Sequence, residues 1–401
     1  MSAQTNDMKQ HPNGKVLTFA LREFEDRISR LDAMLQKEEV DIYLGHAPES
    51  LNYFTGFDPL GIYLYECVFF QTGAKEPSLL THKAEKELTV FQCWISEVII
   101  WTHGHDPVQV TIDKLRALGA TAGKRVGLEM ANWYLRADLY KALTVAFPEV
   151  EFVDVTQKIM RLRTIKSPTE IECMRKAAGF SDLALEAMAE ILHPGISELD
   201  VLAAVQSKLA LAGSEYPTLP FIIASGWRSG TFHAVPSSKI IEAGDPILFE
   251  FTGSWKRYNS NLCRTVVAGK ASDRLLDLWK INYESFWRPF ELIRPGASAS
   301  DIDRLSREIR GDYADYIVAR AGFGMGLSYP PTFAQFPDIL VGDETILEPG
   351  MIFSLEPSIS QFEGVTISYG YNILVTETGA EILHNAPKDL FEIPAWSAPW
   401  P

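Results

Sequence analysis

The chain is short of basic charge, cysteine, histidine and long apolar runs, and each shortage removes a class of function. Lys and Arg number 37 against 52 Asp and Glu, a formal net charge of −15, so no basic stripe is available to displace counterions from a nucleic-acid backbone. A small molecule is the expected partner, with no nucleic acid and no membrane. The four cysteines, Cys67, Cys93, Cys173 and Cys263, lie far apart and lack the paired spacing of zinc sites or disulfide frameworks. They are expected as free thiols in a reducing, cytoplasmic setting. No apolar run approaches the roughly 18 to 20 residues that span a bilayer, and the polar residues 1–15 lack the basic-then-apolar plan of a secretion signal; this start is expected to be flexible. From residue 161 to 380 there are only two histidines, His193 and His233.

What is present suits two domains of mixed α/β character, since 401 residues exceed one ordinary core. Phe19, Leu21, Phe24, Ile28, Leu31 and Leu35 recur at steps of three and four, the stripe of an amphipathic helix. Short apolar runs at 41–44, 63–70, 98–102 and 125–130 alternate with helical stretches such as 135–145, the pattern of a mixed or parallel sheet with covering helices. This predicts an N-terminal α/β domain over 16–155 and a second domain over 161–390. At its start Ser167 can cap a helix, Pro168 suits the first helical position, and Glu170 and Glu172 favour the positive end of the dipole. Pro194-Gly195-Ile196-Ser197 and Pro295-Gly296-Ala297-Ser298, each with Asp three residues on, share one turn-and-cap plan. Two copies fit either an internal duplication or common cap chemistry. Strands are predicted at 246–253, 262–268, 351–356 and 373–376.

Four motifs then occur in one order: Arg163-x-x-Lys166-Ser167-x-x-Glu170-Ile171; Phe249-Glu250 with Asn261 eleven residues after Glu250 and Arg264-Thr265 beyond; Gly322-x-Gly324-x-Gly326; and Leu347-Glu348-Pro349-Gly350-Met351 leading to Leu355-Glu356-Pro357. Together they resemble the pita-bread family of methionine aminopeptidase, prolidase and creatinase. The resemblance implies a creatinase-like N-terminal domain, a C-terminal pita-bread domain with internal pseudo-twofold duplication, and a homodimer. Its metallopeptidases hold two divalent ions through two aspartates, a histidine and two glutamates. Carried over by position, these fall on Glu250, Asn261, Phe323, Glu356 and the neighbourhood of Gly370. Asn261 brings no charge and Phe323 no lone pair, so neither metal nor other cofactor is expected.

The family has metal-free branches, and the chain is similar to two of them. In creatinase the resemblance implies a proton-shuttling histidine and glutamates that hold a cationic substrate; His233 and Glu356 match these, while Cys263 replaces the glutamate before Arg-Thr. A closer resemblance is to ectoine hydrolase, carried by Phe249-Glu250-Phe251-x-Gly253, Lys256-Arg257-Tyr258, Ser328-Tyr329-Pro330-Pro331, 343–351, and Phe54-Thr55-Gly56-Phe57-Asp58. Two departures stand out: Glu356 looks creatinase-like, and Thr366–Tyr371 has no acidic residue.

A protonated cyclic amidine has a carbon electrophilic enough to need no Lewis acid; it needs a carboxylate to attack or to activate water, and a group that protonates the departing nitrogen. The expected catalytic set is Glu250 as nucleophile or base, His233 as proton shuttle and Glu356 as a second carboxylate. Tyr258, Asn261, Arg264, Phe323, Tyr329 and Trp227 are expected to bind substrate, Arg264 and Phe323 each having a structural alternative. The resemblance also implies that an N-domain loop with Asp58, Tyr63 and Tyr65 reaches the partner's pocket, against the plainer reading of a hairpin with aromatic core residues. The leading expectation is a metal-independent hydrolase of a non-peptide C–N bond in a small zwitterion, of the ectoine-hydrolase kind. Alternatives are a creatinase-like amidinohydrolase, a metal-dependent Xaa-Pro aminopeptidase or prolidase, and a pita-bread binding protein without turnover.

Overall fold

A computed structural model describes residues 16–60 and 62–393; the flexible start expected at 1–15 lies outside them. The chain divides between Arg163 and Thr164 into two compact units.

The first unit opens with α1 (Leu21–Lys37), which buries Phe24, Ile28, Leu31 and Leu35, the stripe predicted from sequence; each such burial stabilises by about 1.5–3 kcal/mol. There follow β1 (Ile42–Gly45), α2 (Pro48–Thr55), β2 (Cys67–Gln71), β3 (Ser78–His82), α3 (Lys86–Gln92), β4 (Glu97–Trp101), α4 (Pro107–Ala117), β5 (Arg125–Leu128), α5 (Ala137–Ala146), β6 (Glu151–Asp154) and α6 (Thr156–Leu162). The strands form one mixed sheet in the order β4-β3-β2-β1-β5-β6, with β1 antiparallel to β2 and parallel to β5. The apolar run predicted as strand over 63–70 supplies only β2. Among the described residues of 52–66 no hairpin stands: Asn52–Thr55 finish α2, and Gly56 closes it with φ 83°. A Cβ there would lie 2.7 Å from the Gln92 carbonyl oxygen, so both backbone sign and space demand glycine.

The second unit begins with α7 (Pro168–Ile191), α8 (Glu198–Ala212), β7 (Ile222–Ser225), β8 (Pro246–Trp255), β9 (Tyr258–Ala268), α9 (Asp273–Phe290) and α10 (Ala299–Ile309). It continues with β10 (Gly322–Gly324), β11 (Gln335–Ile339), β12 (Ile352–Leu355), β13 (Ser358–Phe362), β14 (Val365–Ser368), β15 (Tyr371–Val375), β16 (Ala380–Ile382) and β17 (Glu392–Ile393). Two sheets, β17-β9-β8-β7 and β11-β10-β12-β15-β16, accompany the β13-β14 hairpin. Ser167 and Ser197 form full capping boxes with Glu170 and Asp200, and Ser298 accepts from the Asp301 N–H; the two Pro-Gly-x-Ser segments thus open α8 and α10. The largest apolar core joins Phe249, Phe251, Leu262 and Val266 to Phe353, Leu355, Tyr371 and Ile373. Inward residues of β8 and β9 alternate with those that build the site.

Candidate active site

The site rests on the β8–β9 hairpin. Trp255 pairs with Tyr258 across a two-residue turn in which Lys256 and Arg257 both have positive φ, 52° and 63°, the geometry of a type I′ turn whose twist matches the strands. The Glu215 carboxylate fixes it, accepting from the Lys256 and Arg257 N–H groups at 2.9 and 2.8 Å. This register sets Glu250 opposite Cys263 and Thr252 opposite Asn261, so Glu250 and Asn261 are diagonal neighbours on one face. Glu356, just beyond β12, comes to the same place from the other sheet.

Asn261 bridges the two carboxylates. Its Nδ2 donates to Glu250 Oε1 and to Glu356 Oε2, each at 2.8 Å, while its Oδ1 accepts from Asn372 Nδ2 at 2.8 Å. Ser354 Oγ donates to the same Glu356 oxygen at 2.9 Å. Burial, followed by the negative charge of Glu250, pushes the Glu356 carboxyl up to about 8. Burial also raises Glu250, against the opposing Asn261 hydrogen bond. Two carboxyls this close to one donor share a proton more readily than they share two charges. The Cys263 thiol, buried beside them and 3.1 Å from Ser368 Oγ, is pushed up first by burial and then by the Glu250 and Glu356 charges.

The other expected site residues are dispersed. Tyr258 and Arg264 have the opposite parity to Asn261 on β9 and take the other face. The Tyr258 hydroxyl donates to Glu170 Oε1 at 2.7 Å, and the buried Arg264 guanidinium lies 4.5 Å from the ring centroids of both Tyr369 and Tyr371 while donating to the Pro387 carbonyl. Phe323 pairs with Ser354 across β10 and β12 and so shares the face that carries Glu356; its ring stacks on Phe333 at 5.7 Å and has the Arg320 guanidinium 5.0 Å from its centroid. Tyr329 is fully buried, with the Arg257 guanidinium 5.4 Å from its ring. Trp227, 75% exposed, lies in the short 3-10 turn Gly226–Gly230, and His233 is exposed in the loop after it, edge-on to Phe232. In the first unit Asp58 is half-buried, its N–H held by Gln92 Oε1 at 2.9 Å. Tyr63 is 86% exposed, whereas Tyr65 is buried with its hydroxyl 2.7 Å from Thr111 Oγ1. Sequence reasoning missed Ser354, Asn372, Ser260, His384 and Asp182. Of these, Ser354 carried a signal, two residues before Glu356 on a predicted strand and therefore on its face.

The donor set does not fit a pair of divalent cations. Both carboxylates are turned to N–H hydrogens of Asn261, and the one oxygen of that amide is turned away to Asn372. Phe323 offers no lone pair. At Gly370 even a Cβ would stand 2.6 Å from the Glu356 Cβ, so that position supplies no ligand. Among the described residues no three His, Cys, Asp or Glu side chains converge as metal ligands would, and no helix is long and apolar enough to cross a membrane.

Residues 172–377 match the model of metallopeptidase family M24, and residues 27–165 match the creatinase/prolidase N-terminal domain. A Xaa-Pro dipeptidase of Pyrococcus furiosus is 28% identical over 370 residues, covering 91% of this chain and 99% of the relative. An ectoine hydrolase of Halomonas elongata is 26% identical over 395 residues, covering 94% and 98%. Among solved structures, a Xaa-Pro dipeptidase from Bacillus anthracis superposes with a TM-score of 0.81 at 26% identity, covering 92% of this chain and 99% of that one. With a pita-bread domain behind a creatinase-like N-terminal domain, the chain belongs to family M24 and has a hydrolase fold.

Proposed function

We propose that this chain hydrolyses a non-peptide C–N bond in a small organic cation or zwitterion, opening a cyclic amidine of the ectoine type without a metal. One observation carries the reading: two half-buried carboxyls, Glu250 and Glu356, meet on the two N–H hydrogens of one amide where the family's metallopeptidases hold metal. A pair that keeps one proton and one negative charge complements the single positive charge of an amidinium. Glu250, as carboxylate, takes a proton from the water that attacks the amidinium carbon, or attacks that carbon itself to give a glutamyl bond that water then hydrolyses. Glu356, held protonated, gives its proton to the departing ring nitrogen, and the C–N bond breaks as that nitrogen becomes an amine. The cycle closes when the proton left on the Glu250 side passes to Glu356, with His233 on its exposed loop as the shuttle. The ectoine hydrolase relative supports this substrate class.

A second reading is favoured by the Xaa-Pro dipeptidases among the relatives, and it requires divalent metal. Incubating metal-analysed protein with ectoine, creatine and Xaa-Pro dipeptides, with and without strong chelator, separates the two by mass spectrometry of the products. Ring opening that survives chelator is expected; dipeptide cleavage restored only by Mn²⁺ would replace the proposal with the second reading.

A further inference from the structure

The amide that bridges the carboxylates is itself held by a chain of side chains ending at the edge of the second unit. The Asn261 backbone N–H donates to Asn372 Oδ1 at 3.1 Å. A backbone N–H can only donate, so this contact fixes which end of the Asn372 amide is oxygen. Asn372 must then turn its Nδ2 to Asn261 Oδ1, and Asn261 must turn both N–H hydrogens to Glu250 and Glu356. The Ser260 hydroxyl also donates to Asn372 Oδ1. Having spent its only hydrogen there, it has lone pairs alone to offer His384 Nε2, 3.3 Å away. His384 Nε2 is therefore the donor, and one further proton lies between His384 Nδ1 and Asp182 Oδ1 at 2.9 Å. Asp182 Oδ2 accepts from the Asn385 N–H at 2.6 Å, which leaves Oδ1 to face the ring.

We infer that Asp182 and His384 are positioning residues that act through Ser260 and Asn372 to hold the Asn261 amide with both hydrogens on the carboxylate pair. A proton wire is excluded by the two amides in the path, which keep their N–H hydrogens and do not relay protons as hydroxyls or imidazoles do. The polarity instead runs one way, from the proton shared by Asp182 and His384 to the hydrogens on Glu250 and Glu356. If the chain is broken at His384, Ser260 can rotate its hydrogen elsewhere, and the amide stack loses one of the two donors on Asn372 Oδ1.

The inference deepens the proposed function, and only its kinetic arm rests on that reading. Full-length protein labelled with ¹³C at the glutamate carboxyls and ¹⁵N in histidine is compared with His384→Gln, Ser260→Ala and Asp182→Asn, the Glu356 signal being assigned with Glu356→Gln. In the wild type the His384 ring is expected to carry hydrogen on both the Nε2 side and the Asp182 side, and in each folded variant the Glu250 and Glu356 carboxyl signals are expected to shift. With a turned-over amidine, kcat is expected to fall about 10- to 100-fold with KM within twofold, and the double variant His384→Gln/Ser260→Ala is expected to lose no more than either single one. Unmoved carboxyl signals in any folded variant, or additive losses in the double variant, would overturn the inference. Asp182, at the edge of the fold with its side chain 16% exposed, supplies a variant that keeps the core if the buried changes do not fold. Should the wild type turn over none of the amidines, the functional proposal falls while the carboxyl signals still decide the positioning role.

Discussion

At Asn261 one amide decides the chemistry of two acids, and its replacement is the sharpest local probe. Asn261→Asp exchanges two donated hydrogens for a third carboxyl in a buried site. It is expected to cost about 3 kcal/mol at pH 8, with a smaller loss at pH 5 where the carboxyls can hold protons; chemical denaturation at both pH values measures this. Glu250→Gln keeps the shape and removes the nucleophile or base, and turnover of an amidine is expected to drop by about 10³-fold or more with little change in melting temperature. Glu250, Asn261 and Glu356 were legible as a set because motif order and spacing fixed their strands. Asn372 and Ser260 were not, since a neutral amide and a hydroxyl gain a role only when β15 comes beside β9. His384 lies beyond residue 380, past the last of the ordered motifs. Arg264 shows the converse: motif proximity drew it into the expected site, and the period of two along β9 puts it on the opposite face.

The elements around the site were readable where local chemistry dictates them, as in the serine caps of α7, α8 and α10 and the two-residue turn at Lys256. The short strands β10 to β16 were read less completely, because runs of three to five residues carry little periodicity and are defined by their partners. One such tertiary device holds the loop that carries Trp227 and His233. Glu198, the first residue of α8, is fully buried. It accepts from Ser225 N and Oγ at 2.7 and 2.9 Å, from Ser237 N and Oγ at 2.9 and 2.8 Å, and from Arg228 Nε at 3.2 Å. One carboxylate thereby closes both ends of the segment 225–237. Glu198→Ala is expected to destabilise by about 3 kcal/mol and to speed amide hydrogen exchange in 226–236 at least tenfold while the β8–β9 hairpin stays protected. Equal exchange throughout the second unit would show that the clamp supports the whole fold and has no special hold on the loop.

For the molecule as a whole, each unit contains a carboxyl that folding has made hard to ionise. Burial, against the Thr81 hydroxyl bond to it, pushes Glu66 up to about 8, as Glu356 is raised in the other unit. Between the unfolded value near 4.5 and about 8 the folded chain holds these protons and the unfolded chain sheds them. Their contribution to stability is therefore complete below about pH 4.5 and drains away as pH climbs through about 8. Thermal scans from pH 6 to 9 are expected to show falling melting temperatures, and Glu66→Gln is expected to flatten the part that belongs to the first unit. The homodimer that the family resemblance implies makes a separate demand: if an N-domain loop completes the partner's site, a variant altered at Asp58 and Tyr63 and a Glu250→Gln variant, each inactive alone, are expected to recover activity when unfolded and refolded together. The glycine pressed against Glu356 sets a limit on redesign. Because even a methyl at 370 would force Glu356 aside, a glutamate introduced there alone meets a collision before it can meet a metal. A carboxylate can be added at that position only together with a change that makes room beside Glu356, so no single substitution there enlarges the set of ligands while leaving the existing one intact.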